Sequence, residues 1–467
     1  MKWRRLPIWL AAAAVTAGLV LGVTAIASGG SSPNAARKAS SSPNAARKAT
    51  ACPFKGGTIN MYMAQDLKAV IGDEIGPAGV RAADVWRNYT NSHGGILGCK
   101  FAFKVEDEAF GNDVTTCIRD YKNALASKKY DFFVGPTNSA CMLNLGAVIN
   151  AGGKPLISGI AADHQPFFEL FKPFNFHASV STFLEGRASA VAAKRFGWKK
   201  VSLMVPNYAY GQDAGKAFQD YFKQIVPGGQ ILTQQEPPFD EKDFSKYINA
   251  MLAGKPDGLF TAFFGPFIVP FWQQWHATGN DKNTRIICGL GILATFDVTK
   301  SAADIPANTY CYNRAPTELL SKTPTGKLVS RIYLAKYGSQ HPIVSEFAFQ
   351  IFSSLQMAKA LIEKTKSVDP KAWQKIVESG RFTYLGPYHS GLTYVNPINH
   401  MSDTCASVGK IVWKQSAKIH ATYDASTYIT SCMHNVLPES QAKQLTKNPG
   451  VSEAAIKFYY SHAKAVN

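Results

Sequence analysis

Strict alternation of predicted strands and helices from residue 57 onward is the feature that most constrains the fold of this chain. Short apolar runs typical of buried strands are each followed by a segment with the 3.6-residue periodicity of a helix. The predicted strands are 57–64, 101–106, 131–135, 155–158, 201–205, 230–234 and 258–263, and the predicted helices are 75–92, 112–127, a segment ending at 150, 182–196, 214–225, 244–253 and 345–364. This alternation predicts parallel sheets covered by helices, in two similar halves that follow one another.

The segment from Lys199 to Phe218 joins one of these strands to a polar, aromatic loop and then to a helix. This order places Tyr208, Tyr210 and Gln212 at the carboxyl end of a parallel strand. Open α/β sheets bind small molecules at that end of their strands. The segment therefore predicts one wall of a binding cleft.

The first 54 residues predict an export signal followed by a tether. Residues 1–27 combine basic residues, an apolar run and the small-residue site Ala25-Ile26-Ala27, which is typical of a signal peptide. An uncleaved membrane anchor is the alternative, because the run is about as long as the ~20 residues that span a bilayer. Residues 28–54 contain the tandem decapeptides SSPNAARKAS and SSPNAARKAT, which have no apolar face to bury. We predict a disordered tether and an exported protein, located in the periplasm, on the cell surface or outside the cell.

All eight cysteines follow the repeat, at Cys52, Cys99, Cys117, Cys141, Cys288, Cys311, Cys405 and Cys432. Disulfides are the default in an exported protein, and no Cys-x-x-Cys spacing or nearby histidine indicates a zinc site. Cys288 and Cys311 lie in neighbouring predicted strands, and Cys405 and Cys432 bracket a terminal β segment. We therefore predict that the cysteines pair in sequence order.

Charge and motifs disfavour two other classes of protein. The formal net charge is +18, and residues 1–51 contribute seven basic and no acidic residues, which leaves 18 − 7 = +11 for the remainder. These charges are scattered, and no recognisable nucleic-acid-binding module is present. The sequence also contains no Gly-x-Ser-x-Gly, His-Glu-x-x-His, P-loop or post-strand Gly-x-Gly-x-x-Gly motif. We predict that the protein is not an enzyme and uses no cofactor, metal or nucleic acid.

Six segments resemble a known family in their order and spacing: HGGILG at 93–98, DEA at 107–109, VGPTNSA at 134–140, GKPLISG at 153–159, NYAYGQ at 207–212 and KDFSKYINAMLAGKPDGLF at 242–260. From about residue 55 to 411 the chain resembles type I periplasmic binding proteins, specifically the leucine/isoleucine/valine-binding group of ABC-importer receptors. The resemblance implies an α/β fold with two doubly wound parallel-sheet lobes that close about a three-crossing hinge.

The same resemblance implies where the lobes begin and end. The three crossings would lie near Ala178, Arg314 and Gly386. Lobe one would combine residues 55–178 with 315–385, and lobe two would combine 179–314 with 387–436. Residues 437–467 would form a polar tail outside the family pattern, which we expect to be helical.

The resemblance further implies a set of ligand-binding residues. The loops after the third and fourth strands would bind the ligand carboxylate, and Ser139 suits this role because its N–H lies near a helix N-terminus. A plain N-cap is the alternative role for Ser139. In lobe two, aromatic side chains would contact the ligand. Gln65, in the loop after the first strand of lobe one, would either add a neutral hydrogen bond to the ligand or lie exposed. The implied residues are Gln65, Asn138, Ser139, Ala140, Ala161, Ala162, Asp163, Tyr210 and Phe264.

Two departures from the family bear on the ligand. The acidic position that would pair with a ligand ammonium falls within residues 288–293, CGLGIL, which contain no carboxylate, and Ala162 stands where a hydroxyl residue is usual. An unpaired ammonium in a closed cleft is costly, so an ordinary amino acid is disfavoured unless Asp163 or another acid substitutes. The run FFGPFIVPFWQQW at 263–275 would either form an aromatic wall around Phe264 or pack in the core.

Together these features predict the receptor of an ABC importer. It would act as a monomer, bind a small organic ligand and deliver it to permease subunits in the membrane. The ligand would be amino acid-like, or an aromatic or aliphatic carboxylate or amide. The alternative is a ligand-sensing or partner-binding ectodomain on the same fold, without a transport role.

Overall fold

Two sheets and their covering helices form the body of the protein, which a computed structural model describes for residues 52–289, 305–314, 322–388, 392–413, 421–446, 448 and 450–463. The predicted signal peptide, and the tether up to residue 51, lie outside the described residues. So do residues 290–293 of the CGLGIL segment.

The first sheet contains five parallel strands in the order β2-β1-β3-β4-β5. Its strands are β1 Thr58–Gln65, β2 Lys100–Asp107, β3 Phe132–Val134, β4 Leu156–Ser158 and β5 Asn175–His177. The last five residues of β1 are all buried, as expected for a central strand with helices on both faces. Strand β1 pairs with β2 along one edge and with β3 along the other, so the strand order reverses direction at β1.

The second sheet contains seven strands in the order β14-β13-β10-β9-β8-β6-β7. Its strands are β6 Lys200–Met204, β7 Gln230–Gln235, β8 Gly258–Thr261, β9 Arg285–Cys288, β10 Thr309–Asn313, β13 Cys405–Trp413 and β14 Ala421–Cys432. Strands β6 to β10 are parallel, and β13 and β14 are antiparallel. A small antiparallel ribbon pairs β11 Thr383–Tyr384 with β12 Thr393–Tyr394.

The described residues contain thirteen α-helices, five of which begin at a capping side chain. They are α1 Gly76–Ser92, α2 Thr115–Ala126, α3 Ser139–Ala151, α4 Thr182–Arg195, α5 Ala209–Ile225, α6 Ser245–Leu252, α7 Ile268–Ala277, α8 Pro324–Tyr337, α9 Glu346–Thr365, α10 Pro370–Val377, α11 Met433–Val436, α12 Glu439–Leu445 and α13 Glu453–His462. Side chains of Asn138, Thr323, Ser345, Asp369 and Ser452 accept a backbone N–H and cap five of them.

The predicted α/β fold with parallel sheets is confirmed, and one local prediction is wrong. Helix α5 begins at Ala209 rather than Ala214, so Tyr210 and Gln212 lie in its first turns instead of in a loop. Tyr208 is the residue that precedes the helix. The polar and aromatic composition of 207–212 concealed this early start.

The cysteines lie in four pairs, in the sequence order predicted: Cys52–Cys99, Cys117–Cys141, Cys288–Cys311 and Cys405–Cys432. Cys288 and Cys311 are partners on the adjacent parallel strands β9 and β10. Cys405 and Cys432 face each other across the antiparallel pair β13–β14. Two bridges therefore lie with the first sheet and two with the second, and no bridge joins the sheets.

The C-terminal segment contains helices α12 and α13, which pack on the body. Tyr459 is fully buried. The guanidinium of Arg381 lies 4.1 Å from the ring centre of Phe458, and the amide of Asn448 donates to Glu378. Within the described ranges no helix is both long enough and apolar enough to pass through a bilayer.

Candidate ligand-binding cleft

A cavity lies where the carboxyl ends of the strands of both sheets meet. The first sheet changes direction at β1 and the second at β6, and such switch points are the usual binding positions of open α/β sheets. The residues that line the cavity follow strands of both sheets, together with one residue of α9: Ile71, Ile75, Phe110, Thr137, Ser139, Ile160, Tyr208, Tyr210, Phe264, Arg314 and Phe347. Both sheets therefore contribute walls to one site.

The cavity is small and has a larger neighbour. Its volume is about 20 Å³, which is room for about one water molecule. A second cavity of about 330 Å³ shares Phe110 and Tyr208 with it and is also lined by Asn207 and Phe239. Ligand pockets commonly measure about 300–1,000 Å³. An organic ligand can therefore reach the inner cavity only if its walls separate.

The N-terminus of α3, where the resemblance places the ligand carboxylate, is bonded to the opposite wall. The N–H of Ser139 donates to the hydroxyl of Tyr208 at 2.9 Å, and this hydroxyl donates to the side-chain oxygen of Asn138 at 3.1 Å. The same oxygen of Asn138 caps α3 by accepting the N–H of Cys141. Ser139 lines the cavity, but its N–H already has a partner.

A second internal group occupies the same helix terminus. The carboxyl of Glu108 accepts the backbone N–H groups of Thr137 at 3.0 Å and Asn138 at 3.3 Å. Burial raises the pKa of Glu108 well above its ordinary value, against the lowering effect of these two donors. From the sequence, Glu108 was noted only as part of the DEA motif. Its side chain takes the place that the positive end of a helix offers to an anion.

Gln65 lies beneath the cavity rather than on the surface. It is fully buried at the end of β1, and its side-chain oxygen accepts the hydroxyl of Thr137 at 2.8 Å. Gly135 allows this packing, because it has φ of 101° and a Cβ there would lie 2.8 Å from Nε2 of Gln65. Gln65 therefore supports a lining residue without lining the cavity itself.

Five other predicted residues do not line the cavity: Asn138, which caps α3, and Ala140, Ala161, Ala162 and Asp163. Ala140 is partly buried on α3, and Ala161 and Ala162 are buried. The carbonyl of Ala162 accepts the N–H of Thr182 at 2.9 Å and thereby joins the loop after β4 to the start of α4. Asp163 is fully buried and lies in a separate cluster.

This cluster joins the loop after β4 to helix α5. Nδ1 of His164 lies 2.8 Å from Oδ2 of Asp213, and the backbone N–H of His164 donates to the same oxygen. Burial alone would lower the pKa of His164, but Asp213 raises it to about 9, so the imidazole is cationic at neutral pH. Burial and Asp213 raise the pKa of Asp163 well above its ordinary value.

Two groups of side chains have the donor spacing of a metal site, with atoms within 4.8 Å of one another: Asp163, His164 and Asp213, and Asp73, Glu74 and His341. A protein cation already bonds to each group. His164 pairs with Asp213, and Arg81 contacts both Asp73 and Glu74. We interpret both groups as ion-pair clusters.

Arg314, which the sequence analysis treated only as a hinge crossing, lines the cavity after β10. Its Nε donates to Glu185 and its Nη1 to the carbonyl of Ile160 at 2.6 Å. The guanidinium carbon lies 5.3 Å from the ring centre of Tyr210 and 5.9 Å from that of Phe347. Burial alone would lower the pKa of Arg314, but Glu185 and Tyr210 raise it above its ordinary value, so Arg314 is charged.

The aromatic run at 263–275 divides between the cavity and the core. Phe264 lines the cavity and meets Tyr210 edge to face, with ring centres 5.1 Å apart. Phe271 and Trp272 of α7 are fully buried in a hydrophobic core and do not line the cavity. Tyr210 also donates to Glu185 at 3.2 Å. Both aromatic residues predicted for this wall therefore lie at the cavity.

Several lining residues escaped the sequence analysis: Ile71, Ile75, Phe110, Thr137, Ile160, Arg314 and Phe347. Four of them, Phe110, Thr137, Ile160 and Arg314, lie within three residues of the end of a strand, so strand ends were the signal that could have found them. Ile71 and Ile75 lie further along the loop after β1. Phe347 follows no strand closely. It belongs to the start of α9, more than 30 residues after β10, and only the packing of that helix brings it to the cavity.

The fold and the shared cavity define a two-lobed ligand-binding protein. The chain matches the sequence profile of the periplasmic binding protein family over residues 63–416, which is 354 of its 467 residues. The protein belongs to this family of solute-binding proteins. A comparison with curated protein sequences gives no match.

Solved structures of low sequence identity share the fold. An amino acid ABC transporter substrate-binding protein from Pseudomonas fluorescens Pf-5 is 18% identical with a TM-score of 0.68, over 84% of this chain and 100% of that one. A solute-binding protein from R. palustris, in complex with 4-hydroxybenzoate, is 17% identical with a TM-score of 0.66, over 79% and 96%. The LivJ protein of Streptococcus pneumoniae, in complex with isoleucine, is 18% identical with a TM-score of 0.65, over 78% and 99%.

Proposed function

We propose that the protein is an exported, monomeric receptor of an ABC importer that closes two lobes around a small organic ligand and delivers it to membrane permease subunits. The cavity between the two sheets carries this proposal, because a ligand there would contact both lobes. Such a ligand favours the closed form by its differential affinity for the two states. The bound isoleucine and 4-hydroxybenzoate of the similar structures support a small organic ligand.

The proposed lobes follow the two sheets. Lobe one comprises residues 55–178 and 315–402, and lobe two comprises 179–314 and 405–436, with the first crossings near Ala178 and Arg314. We place the third crossing at 403–404, later than the position near Gly386 expected from the sequence. Two pairings support this choice, because β12 pairs with β11 and Met401 bridges to His177 at the end of β5.

The cleft walls meet closely at one glycine. Gly265 follows β8 with φ of 60°, and a Cβ at this position would lie 2.5 Å from the carbonyl oxygen of Ile71 on the opposite wall. A side chain there would hold the walls apart. This close contact supports a cleft that opens and closes, because the absence of a side chain at Gly265 lets the two walls touch when the cleft is closed.

A thermal-shift screen of the purified protein tests the proposal. The solutes are branched-chain amino acids, aromatic acids, short-chain amides and urea, and binding of any one raises the melting temperature by mass action. Small-angle scattering with and without that solute should show a smaller radius of gyration on binding. No shift with any solute, together with co-purification with a sensor kinase rather than a permease, would contradict the transport role.

A further inference from the structure

We propose that the ligand is a carboxylate with an aromatic or aliphatic body and no ammonium group, and that Arg314, rather than the N-terminus of α3, binds its carboxylate. The inference rests on the proposed receptor function and names the class of solute. The Arg314 position differs from Ser139, where the family resemblance would place the ligand carboxylate.

The first step is that four backbone N–H groups around the start of α3 already have internal acceptors. Glu108 accepts those of Thr137 and Asn138, the hydroxyl of Tyr208 accepts that of Ser139, and the side chain of Asn138 accepts that of Cys141. A ligand carboxylate that bound any of these four groups would have to displace a buried internal acceptor. Leaving such buried groups without partners is unfavourable.

The second step is that Arg314 retains unused donors. An arginine carries five N–H donors in a planar fork that suits two-point binding of a carboxylate. Its Nε and Nη1 bond to Glu185 and to Ile160, whereas Nη2 has no hydrogen-bond partner among the described residues. Arg314 is 2% exposed and lines the cavity. A buried charged donor of this kind is stabilised by an anionic partner.

The third step concerns the acids around Arg314. Glu185 pairs with its guanidinium, and Glu346 accepts its backbone N–H at 2.7 Å. Each glutamate lies in the first turn of a helix, α4 and α9 respectively, where the helix dipole favours negative charge. Neither carboxylate lines the cavity. Within the described residues the lining side chains thus include one cation and no acid, which favours an anion and disfavours an ammonium.

The remaining walls define the body of the ligand. The isoleucines at 71, 75 and 160 and the rings of Phe264 and Phe347 are apolar and line the cavity. The ring of Tyr210 lies beneath the guanidinium carbon and is nearly perpendicular to the ring of Phe264. An aromatic or branched aliphatic group fits this surface, and none of the described side chains in it offers a partner to a second charge.

Isothermal titration of the full-length protein with benzoate, benzamide and benzylamine isolates the charged group, because the three probes share one ring. We expect benzoate to bind about 10- to 100-fold more tightly than benzamide, from the strength of a charge-assisted hydrogen bond. Benzylamine should bind more weakly than benzamide. Equal binding of benzoate and benzamide, or tighter binding of benzylamine or leucine, would overturn the inference and leave the receptor function intact. No binding of any solute would overturn both.

Matched variants locate the carboxylate. The double variant Arg314→Gln with Glu185→Gln replaces the ion pair by two neutral amides, and should weaken benzoate about 10- to 100-fold while leaving benzamide nearly unchanged. Arg81→Gln, which removes an arginine paired with Glu74 outside the cavity, is the control and should leave benzoate affinity unchanged. Circular dichroism and melting curves establish that each variant is folded.

Ser139→Pro tests the competing position. Proline is tolerated at the first position of a helix, and Asn138, with φ of −77° and ψ of 114°, has a conformation that suits the residue before proline. The variant removes the N–H of Ser139 and keeps α3. A loss of benzoate affinity smaller than that of the Arg314 double variant supports the inference. A larger loss would place the carboxylate at α3 and overturn it.

Discussion

The bond between His164 and Asp213 should make the stability of the protein depend on pH in the alkaline range. The pKa of His164 is raised from 6.5 to about 9, so the bond stabilises the folded protein fully below about pH 6.5 and this stabilisation is lost as the pH rises through 9. At roughly 1.4 kcal/mol for each pH unit, the difference corresponds to about 3 kcal/mol. The His164 side chain is only 12% exposed, so solvent screening reduces this figure little.

Calorimetric melting at about pH 6 and about pH 10 measures the effect. With an unfolding entropy of about 2.1 cal/mol/K for each residue of a body of roughly 400 residues, 3 kcal/mol lowers the melting temperature by about 3 to 4 °C. His164→Gln keeps a hydrogen bond to Asp213 without the charge, and should lack this part of the decrease. His276→Gln is the control. It also removes a histidine bonded to an aspartate, Asp281, but the His276 side chain is 44% exposed. An equal decrease in the wild type and in His164→Gln would refute the reasoning.

Three further substitutions test the bridges and the cleft. Replacing Cys117 and Cys141 together by serine opens a loop of 24 residues and should lower the free energy of unfolding by about 3 to 4 kcal/mol. Denaturant titration under oxidising conditions measures the difference from the wild type, and an unchanged unfolding midpoint would contradict a stabilising bridge. Phe264→Ala should weaken an aromatic solute found in the screen about tenfold or more, and unchanged affinity in titration calorimetry would remove this ring from the site. Gly265→Ala should hinder closure and weaken ligand binding, because the alanine Cβ would lie 2.5 Å from the carbonyl oxygen of Ile71. A wild-type affinity, with a wild-type decrease in radius of gyration on binding, would show that the walls tolerate the methyl group.

The fold could be predicted because strands and helices follow from local patterns in the sequence. The roles of Arg314 and Glu108 in the site depend instead on contacts between segments that are distant in the sequence. The alternation of strands and helices and the carboxyl end of β6 led to Tyr210, and the family resemblance led to Phe264. Arg314 could not be assigned in this way, because its neighbours Glu185 and Phe347 come from helices far apart in the sequence. The role of Glu108 was also hidden, since only the folded chain brings its carboxyl group to the start of α3.

The pairing of the cysteines has a consequence for how the chain matures. A chain that crosses a membrane with its N-terminus first presents its cysteines to the oxidising side in the order Cys52, Cys99, Cys117, Cys141 and onward to Cys432. Because every bridge joins consecutive cysteines, each thiol meets its native partner as the next one to emerge. A dithiol oxidase acting during translocation would therefore suffice, and no disulfide isomerase would be needed. The two bridges of the first sheet would close before any cysteine of the second sheet has left the translocation pore.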